Sequence, residues 1–319
     1  GDVGMIASDV RLIASLRSLA AALDNGDEPS LAALSADLAA LSASRRVYDQ
    51  LRWIDEGGME RVRVDYVQNQ PFIVPGERLQ NKAQRYYFTG TMHLAPGEIF
   101  VSPFDLNVEQ DRVETPIKPT LRLGMPVQDA AGQARGIVIA NYFGRYLLDR
   151  FSEATEAGDS VDRVNLLNRD GYWLKAPQSA DEWGFMFGRK EHFGTRYPDA
   201  WTRIAGGERG QFEDAHGLWS FRTVRPLGAG MASATGSPLP ASGASAPLGS
   251  DDYAWKLVSR IPAHTLKHTA NRNLVGWALI TLLFMGALLA GAFVLARAQR
   301  RRDALAENLR ALNRRLEEK

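Results

Sequence analysis

The sequence predicts an α+β protein: two tandem antiparallel-sheet modules behind an N-terminal helical segment, then a membrane-crossing helix and the start of a coiled coil. Three observations carry this. Leu274–Ala296 is a run of 23 residues without a charge, long enough at ~1.5 Å per residue to cross a ~30 Å hydrocarbon core. The apolar period changes from helical to alternating at Tyr48, returns to helical after Phe143, and alternates again from Arg163. The turns Asp129-Ala130-Ala131-Gly132 and Asn168-Arg169-Asp170-Gly171 stand before strands in comparable places, as two units of similar plan would have them.

Charge orients the span. Arg297, Arg300, Arg301 and Arg302 follow it directly, whereas His268–Asn273 before it carries one cation, Arg272. The positive-inside rule puts the C-terminus in the cytoplasm and residues 1 to about 270 outside. The tail 297–319 has eight Lys/Arg against four Asp/Glu, the remainder 30 against 33, beneath an overall net charge of +1. A weakly acidic outer part and a basic inner tail suit a membrane protein and speak against a nucleic-acid partner. Without cysteine there is neither a disulfide framework nor thiolate chemistry. Gly1-Asp2-Val3-Gly4 is neither an initiator nor a signal sequence, so a first span or export signal is expected ahead of it.

In chain order, Ile6, Val10, Ile13, Leu16, Leu19 and Leu23 fall at helical spacing over 5–23. Asn25-Gly26-Asp27 stops that helix and Asp27-Glu28-Pro29 restarts one, with Leu31, Leu34, Leu38 and Leu41 as its stripe. The stripe reads as packing against the adjoining module, with a homodimer contact as the sharper reading. Gln50–Asp55 and Glu60–Val67 alternate as strands around Glu56-Gly57-Gly58. Arg85–Phe88 ends a helix or starts a strand. Glu98–Ser102 reads as a strand and Pro103–Asn107 as a turn. Thr120–Val127 and Ala134–Tyr142 are strands, the latter nearly all apolar and so central. Phe143–Glu156 is helical. In the second unit Arg163–Asn168 and Tyr172–Lys175 form a hairpin. Residues 180–206 are helical or irregular and rich in aromatics, and Gly210–Asp214, Leu218–Val224 and Tyr253–Ile261 are strands. Gly228–Asp252 is rich in Gly, Ala, Ser and Pro, and is expected to be a flexible hairpin loop without function. Pro262-Ala263-His264 opens a helix into the span. Beyond it Leu305, Leu309, Leu312 and Leu316 repeat at heptad spacing, which predicts a parallel homodimer.

The strings Tyr48–Asp55 with Gly58 and Glu60–Arg63, Leu79–Lys82, Arg85–Phe88, and Ile99–Glu109 with Pro116, Lys118-Pro119, Leu121-Arg122 and Pro126-Val127 resemble the membrane-distal half of double Cache sensor domains. Asn168–Leu174 and Glu182–Met186 resemble the membrane-proximal half, so the likeness covers about residues 5–265. It implies tandem PAS-like modules on a long N-terminal helix, held between two membrane spans of a bacterial histidine kinase, diguanylate cyclase or chemoreceptor, with a small-molecule ligand in the distal module. The expected divisions are N-terminal stalk helices at 1–46, a distal module at 47–157, and a proximal module at 158–263 with its loop at 228–252. A juxtamembrane and transmembrane helix at 264–296 and a cytoplasmic signalling helix at 297–319 follow. The expected location is the bacterial inner membrane with the sensor part periplasmic, and the effector is expected beyond Lys319.

Nothing in the sequence points to catalysis in this chain: there is no GxSxG, Walker loop or HExxH, and no cofactor motif. His264 and His268 have the i, i+4 spacing of a metal pair, but no carboxylate stands nearby, and a solvated stalk is the plainer reading. A binding pocket needs a few convergent polar groups in apolar surroundings. Arg52, Asp55, Tyr87, Asp105, Asn107 and Arg122 lie on or beside the distal strands, among Trp53, Tyr86, Phe88 and Phe104, and are the candidate ligand residues. Arg52 or Arg122 could clamp a carboxylate, and Asp105 could take an amine or hold an Asx turn. The alternative is that they pair with one another and pin the fold. An amino acid, organic acid or amine is the expected ligand class, and a periplasmic protein partner is the competing reading.

Overall fold

The computed structural model describes the backbone of residues 2–109, 112–156, 164–235 and 246–317; the side chains of 109, 156, 267–276, 292, 294 and 303–317 lie outside that description. The chain divides into two compact units, Gly1–Asp214 with Trp219–Arg260, and Ala215–Leu218 with Ile261–Lys319.

In the first unit, α1 (Asp2–Ala14), α2 (Arg17–Asn25) and α3 (Glu28–Arg45) precede β1 (Tyr48–Ile54), β2 (Glu60–Val67) and β3 (Gln70–Ile73). The helix expected over 5–23 breaks at Ser15-Leu16, where Leu16 is extended (φ −65°, ψ 136°). Helix α3 starts where Asp27 accepts from the Ser30 amide at 3.0 Å. There follow α4 (Tyr86–Met92), β4 (Ile99–Val101), β5 (Asp105–Leu106), β6 (Val108–Glu109), β7 (Arg112–Val113), β8 (Pro119–Gln128), β9 (Ala134–Phe143) and α5 (Arg145–Glu156). The remaining elements are β10 (Asn165–Leu167), β11 (Trp173–Lys175), α6 (Phe193–Arg196), α7 (Pro198–Ala205), β12 (Arg209–Asp214), β13 (Gly217–Val224), β14 (Met231–Ala234), β15 (Pro247–Leu248), β16 (Trp255–Pro262) and α8 (Ala263–Glu317).

Among the described residues the first sheet runs β15-β14-β4-β8-β9-β1-β2-β3, with β5 also on β8. Every residue of β1 is buried, because both faces of the sheet are covered. Successive side chains alternate between those faces. Leu51, Trp53, Leu121, Leu123, Val138 and Ala140 join Ile6, Val10, Ile13, Leu34 and Leu38 of the N-terminal helices in one core. On the other side Ile54, Ile137 and Ile139 pack with Phe100 and with Tyr86, Tyr87 and Phe88 of α4. Gly136 (φ 104°) can only be glycine: a Cβ there would stand 1.9 Å from the Ile54 carbonyl oxygen.

The second sheet is ordered β11-β10-β16-β13-β12. Its core is aromatic: Trp173, Phe193 and Trp219 pack with Leu167, Ala200, Ile204 and Val258. The second unit contains α8, a single helix of 55 residues, whose segment Trp277–Arg302 holds an 18-residue stretch of mean hydropathy 2.5 and is long and apolar enough to cross a membrane. Its apolar side chains face outward, Leu283 being 75% exposed, as a lipid-facing helix requires. The heptad leucines 305, 309, 312 and 316 sit on α8, but their side chains lie outside the described residues.

Three expectations are corrected. Arg85–Phe88 neither ends a helix nor starts a strand; Arg85 is the N-cap of α4. The Pro103–Asn107 turn contains β5, since Asp105 pairs with Thr120 of β8. Gly228–Asp252 is not wholly loop: β14 pairs in parallel with β4, Met231 opposite Ile99, and β15 returns on β14. The Ser233 hydroxyl donates to the Val101 carbonyl at 2.5 Å, which ties β14 to β4 by a side chain as well. The rest of that segment, 236–245, lies outside the described residues.

Candidate ligand site on the distal sheet

Alternation places Arg52 of β1, Arg122 of β8 and Asn141 of β9 on the face that α4 covers, with Arg122 directly opposite Asn141 in register. Both guanidinium groups are almost fully buried, 3% exposed in each case. They flank one ring: the Arg52 and Arg122 Cζ atoms lie 5.4 Å and 5.6 Å from the Tyr87 centroid.

Each has its own counter-charge. Arg122 donates to Asp105 Oδ1 at 2.6 Å and to Asn107 Oδ1 at 3.0 Å, while the Tyr86 hydroxyl donates to Asp105 Oδ2 at 2.8 Å. Arg52 donates to Glu60 Oε1 at 3.2 Å, to the Tyr87 hydroxyl at 3.3 Å and to Asn141 Oδ1 at 2.9 Å. Among the described residues nothing accepts from its buried Nε. Asn107 is held in turn by Glu114 at 2.9 Å. Burial pushes the Asp105 carboxyl above the ordinary range, with Arg122 pulling the other way. Burial also pushes Tyr87 up, yet Arg52, Lys82 and Arg122 together hold its phenol below the usual value. The local field is therefore positive.

The space inside this cluster measures about 20 Å³ and is lined by Gln50, Arg52, Lys82, Arg85, Tyr87, Asn107, Val108, Arg122 and Asn141. That lining holds four cationic side chains and no carboxylate. Lys82 and Arg85 come from the segment leading into α4. It docks on Gly58 (φ 82°), where a Cβ would meet the Ala83 backbone at 2.5 Å, and whose carbonyl accepts from the Lys82 amide at 2.6 Å.

Five of the six residues expected from sequence meet here: Arg52, Tyr87, Asp105, Asn107 and Arg122. Asp55 does not. Its Oδ1 accepts from the amides of Gly57 and Met59 at 3.0 and 2.9 Å; it builds the β1–β2 turn that carries Gly58, and acts on the cluster only through that turn. Sequence reasoning missed Glu60, Asn141, Lys82 and Arg85 as members. A signal existed for Asn141, a polar residue closing an otherwise apolar strand; for Lys82 and Arg85, in a loop, periodicity offers none. Among the described residues no group of three or more His, Asp or Glu converges as a metal site.

Comparison with known proteins fits this architecture. The extracellular domain of a histidine kinase designated vpHK1S-Z8 superposes with a TM-score of 0.64 at 19% identity, over 84% of this chain and 89% of that one. A domain of a sensory box/GGDEF family protein from Vibrio parahaemolyticus gives 0.63 at 19% identity, over 83% and 92%. The ligand-binding domain of an amino acid chemoreceptor from Pseudomonas aeruginosa PAO1, in complex with GABA, gives 0.49 at 15%, over 81% and 91%. No curated protein matches the sequence. At these identities the first two likenesses establish a shared fold alone, in agreement with the double Cache resemblance. The family described as bacterial histidine kinase, sensor domain, matches residues 4–233, and the chain belongs to that family.

Proposed function

We propose that this chain is the extracytoplasmic, membrane-anchored sensing part of a bacterial receptor, and that its distal module, 47–157, binds a small molecule through an anionic group, most simply the carboxylate of an organic acid or amino acid. One observation carries the ligand class: Arg52, Lys82, Arg85 and Arg122 line the enclosed space and no carboxylate does. Guanidinium groups hold carboxylates with paired, charge-assisted hydrogen bonds, and the unused Arg52 Nε donor suits such an acceptor. An amine in the same place would meet four cationic side chains, two of them paired with Asp105 and Glu60 behind the lining.

The enclosed volume of about 20 Å³ is that of roughly one water molecule. Binding therefore requires the 81–92 segment to lift, giving the domain a closed and an open arrangement for a ligand to select between. Hydrogen bonds that lead from this site to the approach of β16 support a relay. The Arg122 amide donates to Ser102 Oγ at 2.9 Å, and the Tyr253 hydroxyl donates to the Ser102 carbonyl at 2.9 Å. Tyr253 precedes β16, which continues directly into α8. In this reading the proximal module, 158–263, relays, and α8 passes the change to a cytoplasmic C-terminus as a shift or rotation. Homodimerisation through the leucine seam belongs to the same proposal. The small enclosed volume also favours a second reading, a rigid module that binds another extracytoplasmic protein.

A thermal-shift screen of the full chain in lipid nanodiscs against amino acids, organic acids, amines and purines tests this. A ligand at 100 times its dissociation constant adds about 2.7 kcal/mol, a shift of several degrees. Hits confined to acids and amino acids support the anion site; hits confined to amines contradict it; no hit shifts weight to the protein partner. For the dimer, the chain lacks cysteine, so a single Leu309→Cys substitution is expected to give a disulfide-linked dimer, and failure to cross-link argues against the seam.

A further inference from the structure

A second and larger cavity lies where the two sheets of the first unit meet. It measures about 340 Å³, within the ~300–1,000 Å³ range of small-molecule sites. Its wall is aromatic: Phe104 comes from the distal module, Phe185, Tyr253 and Trp255 from the proximal one. These rings form a continuous surface. Phe104 and Trp255 lie 5.8 Å apart between centroids and Tyr253 and Trp255 5.9 Å, and Phe104 is backed edge-on by Trp183 at 5.3 Å.

The polar groups that border the cavity are committed elsewhere. Asp105 has one oxygen on Arg122 and the other on Tyr86. The Tyr253 hydroxyl is on the Ser102 carbonyl. Asn168 Oδ1 accepts from the Asp170 and Tyr172 amides at 3.0 and 2.9 Å. Among the described residues the Thr235 hydroxyl accepts from the Ala246 amide at 2.9 Å, and Arg169 and Asp170, both exposed and 4.0 Å apart as a loose pair, stand at the rim on the Asn168–Gly171 turn. An occupant therefore gains from rings and apolar area inside and from at most one polar head outside.

We propose that this junction is a second ligand site, distinct from the cationic cluster, and that it takes an uncharged, ring-bearing apolar molecule with a single polar group. The chemistry of the two sites is opposite: the distal cluster suits an anion in an enclosed polar space, and the junction suits a ring against rings. Phe104 and Asp105 are neighbours in sequence and both border the junction, and Asp105 holds Arg122, which lines the distal space, so an occupant of the junction bears on the segment that holds Arg122.

Indole is a suitable probe. The full chain in lipid nanodiscs is titrated with indole by calorimetry, with empty nanodiscs as the blank for partitioning. The expected result is one saturable site per chain, with affinity at least tenfold weaker in Ala254→Phe, which fills the cavity from β16's approach. Leu248→Trp, which fills it from β15, serves as the second variant should the first fail to fold, as judged by its unfolding temperature. Absence of saturable binding above the blank, or equal affinity in the folded filling variants, overturns the proposal. Because indole carries no anionic group, this result is independent of whether the distal cluster binds acids.

Discussion

The two sheets of the first unit are built on opposite principles. In the first sheet one face is apolar and packed against helices, and the other buries two ion pairs, Arg122–Asp105 and Arg52–Glu60. In the second sheet the core is aromatic and its ion pairs keep one partner partly exposed: Arg196 holds Asp181 at 2.6 Å while its guanidinium lies 4.5 Å from the Trp173 centroid. Buried ion pairs are an expensive way to stabilise a fold, since desolvation offsets much of their attraction. Aromatic packing carries no such cost. The difference fits the proposal that the polar face of the first sheet takes part in recognition.

The largest test of that contrast is paired replacement. Arg122→Ala leaves Asp105 buried without its cation and is expected to cost about 3–5 kcal/mol, whereas Arg122→Met with Asp105→Leu recovers most of that loss. Trp219→Ala in the proximal core is expected to cost about 3–5 kcal/mol by cavity formation, with no partner substitution that restores it. Chemical denaturation followed by tryptophan fluorescence or circular dichroism measures both. Failure of the double replacement to recover stability would break the comparison.

A smaller effect separates the regions by pH. Burial holds the Asp49 carboxyl above its ordinary value, with Lys118 opposing. The folded state thus keeps that proton to higher pH than the unfolded chain, and the stabilisation present below about pH 3.9 is lost as pH rises through the folded value. Asp181 is the reverse: its hydrogen bonds to Arg196 hold it low, so its contribution stands above about pH 3.9 and is lost as pH falls. Stability measured from about pH 3 to 7 should decline less with rising pH in Asp49→Asn, and should decline less on acidification in Asp181→Asn. Opposite slopes would overturn the assignment. The smallest effect is Asp55→Ala, expected to cost about 1 kcal/mol through its turn while leaving ligand affinity nearly unchanged; a tenfold loss of affinity would put Asp55 back in the site.

Much of this was legible in the sequence, and the exceptions have physical reasons. Alternation placed β1, β2 and β8, where polar residues such as Arg52 and Arg122 interrupt the apolar ones, and a nearly continuous apolar run placed β9. It also brought Arg52 and Arg122 to one face. The break at Leu16 was not legible, since the apolar stripe runs through it unchanged. Nor was β14, where Met-Ala-Ser-Ala has weak strand propensity and the order comes from pairing with β4. Asp55 was misplaced because an aspartate after a strand reads equally as a ligand group and as a turn builder, and only its distances to Gly57 and Met59 decide. Lys82 and Arg85 were missed because loop residues reach a site through tertiary docking, here on Gly58.

The most direct measurement is a calorimetric titration of the best acid from the screen into the full chain and into Lys82→Gln and Arg85→Gln, two changes at the segment that closes the site. The account predicts that each lowers affinity at least tenfold, about 1.4 kcal/mol, in protein that a cooperative unfolding transition without ligand shows to be folded. Equal affinity in all three proteins would contradict it and place the anion's binding site elsewhere.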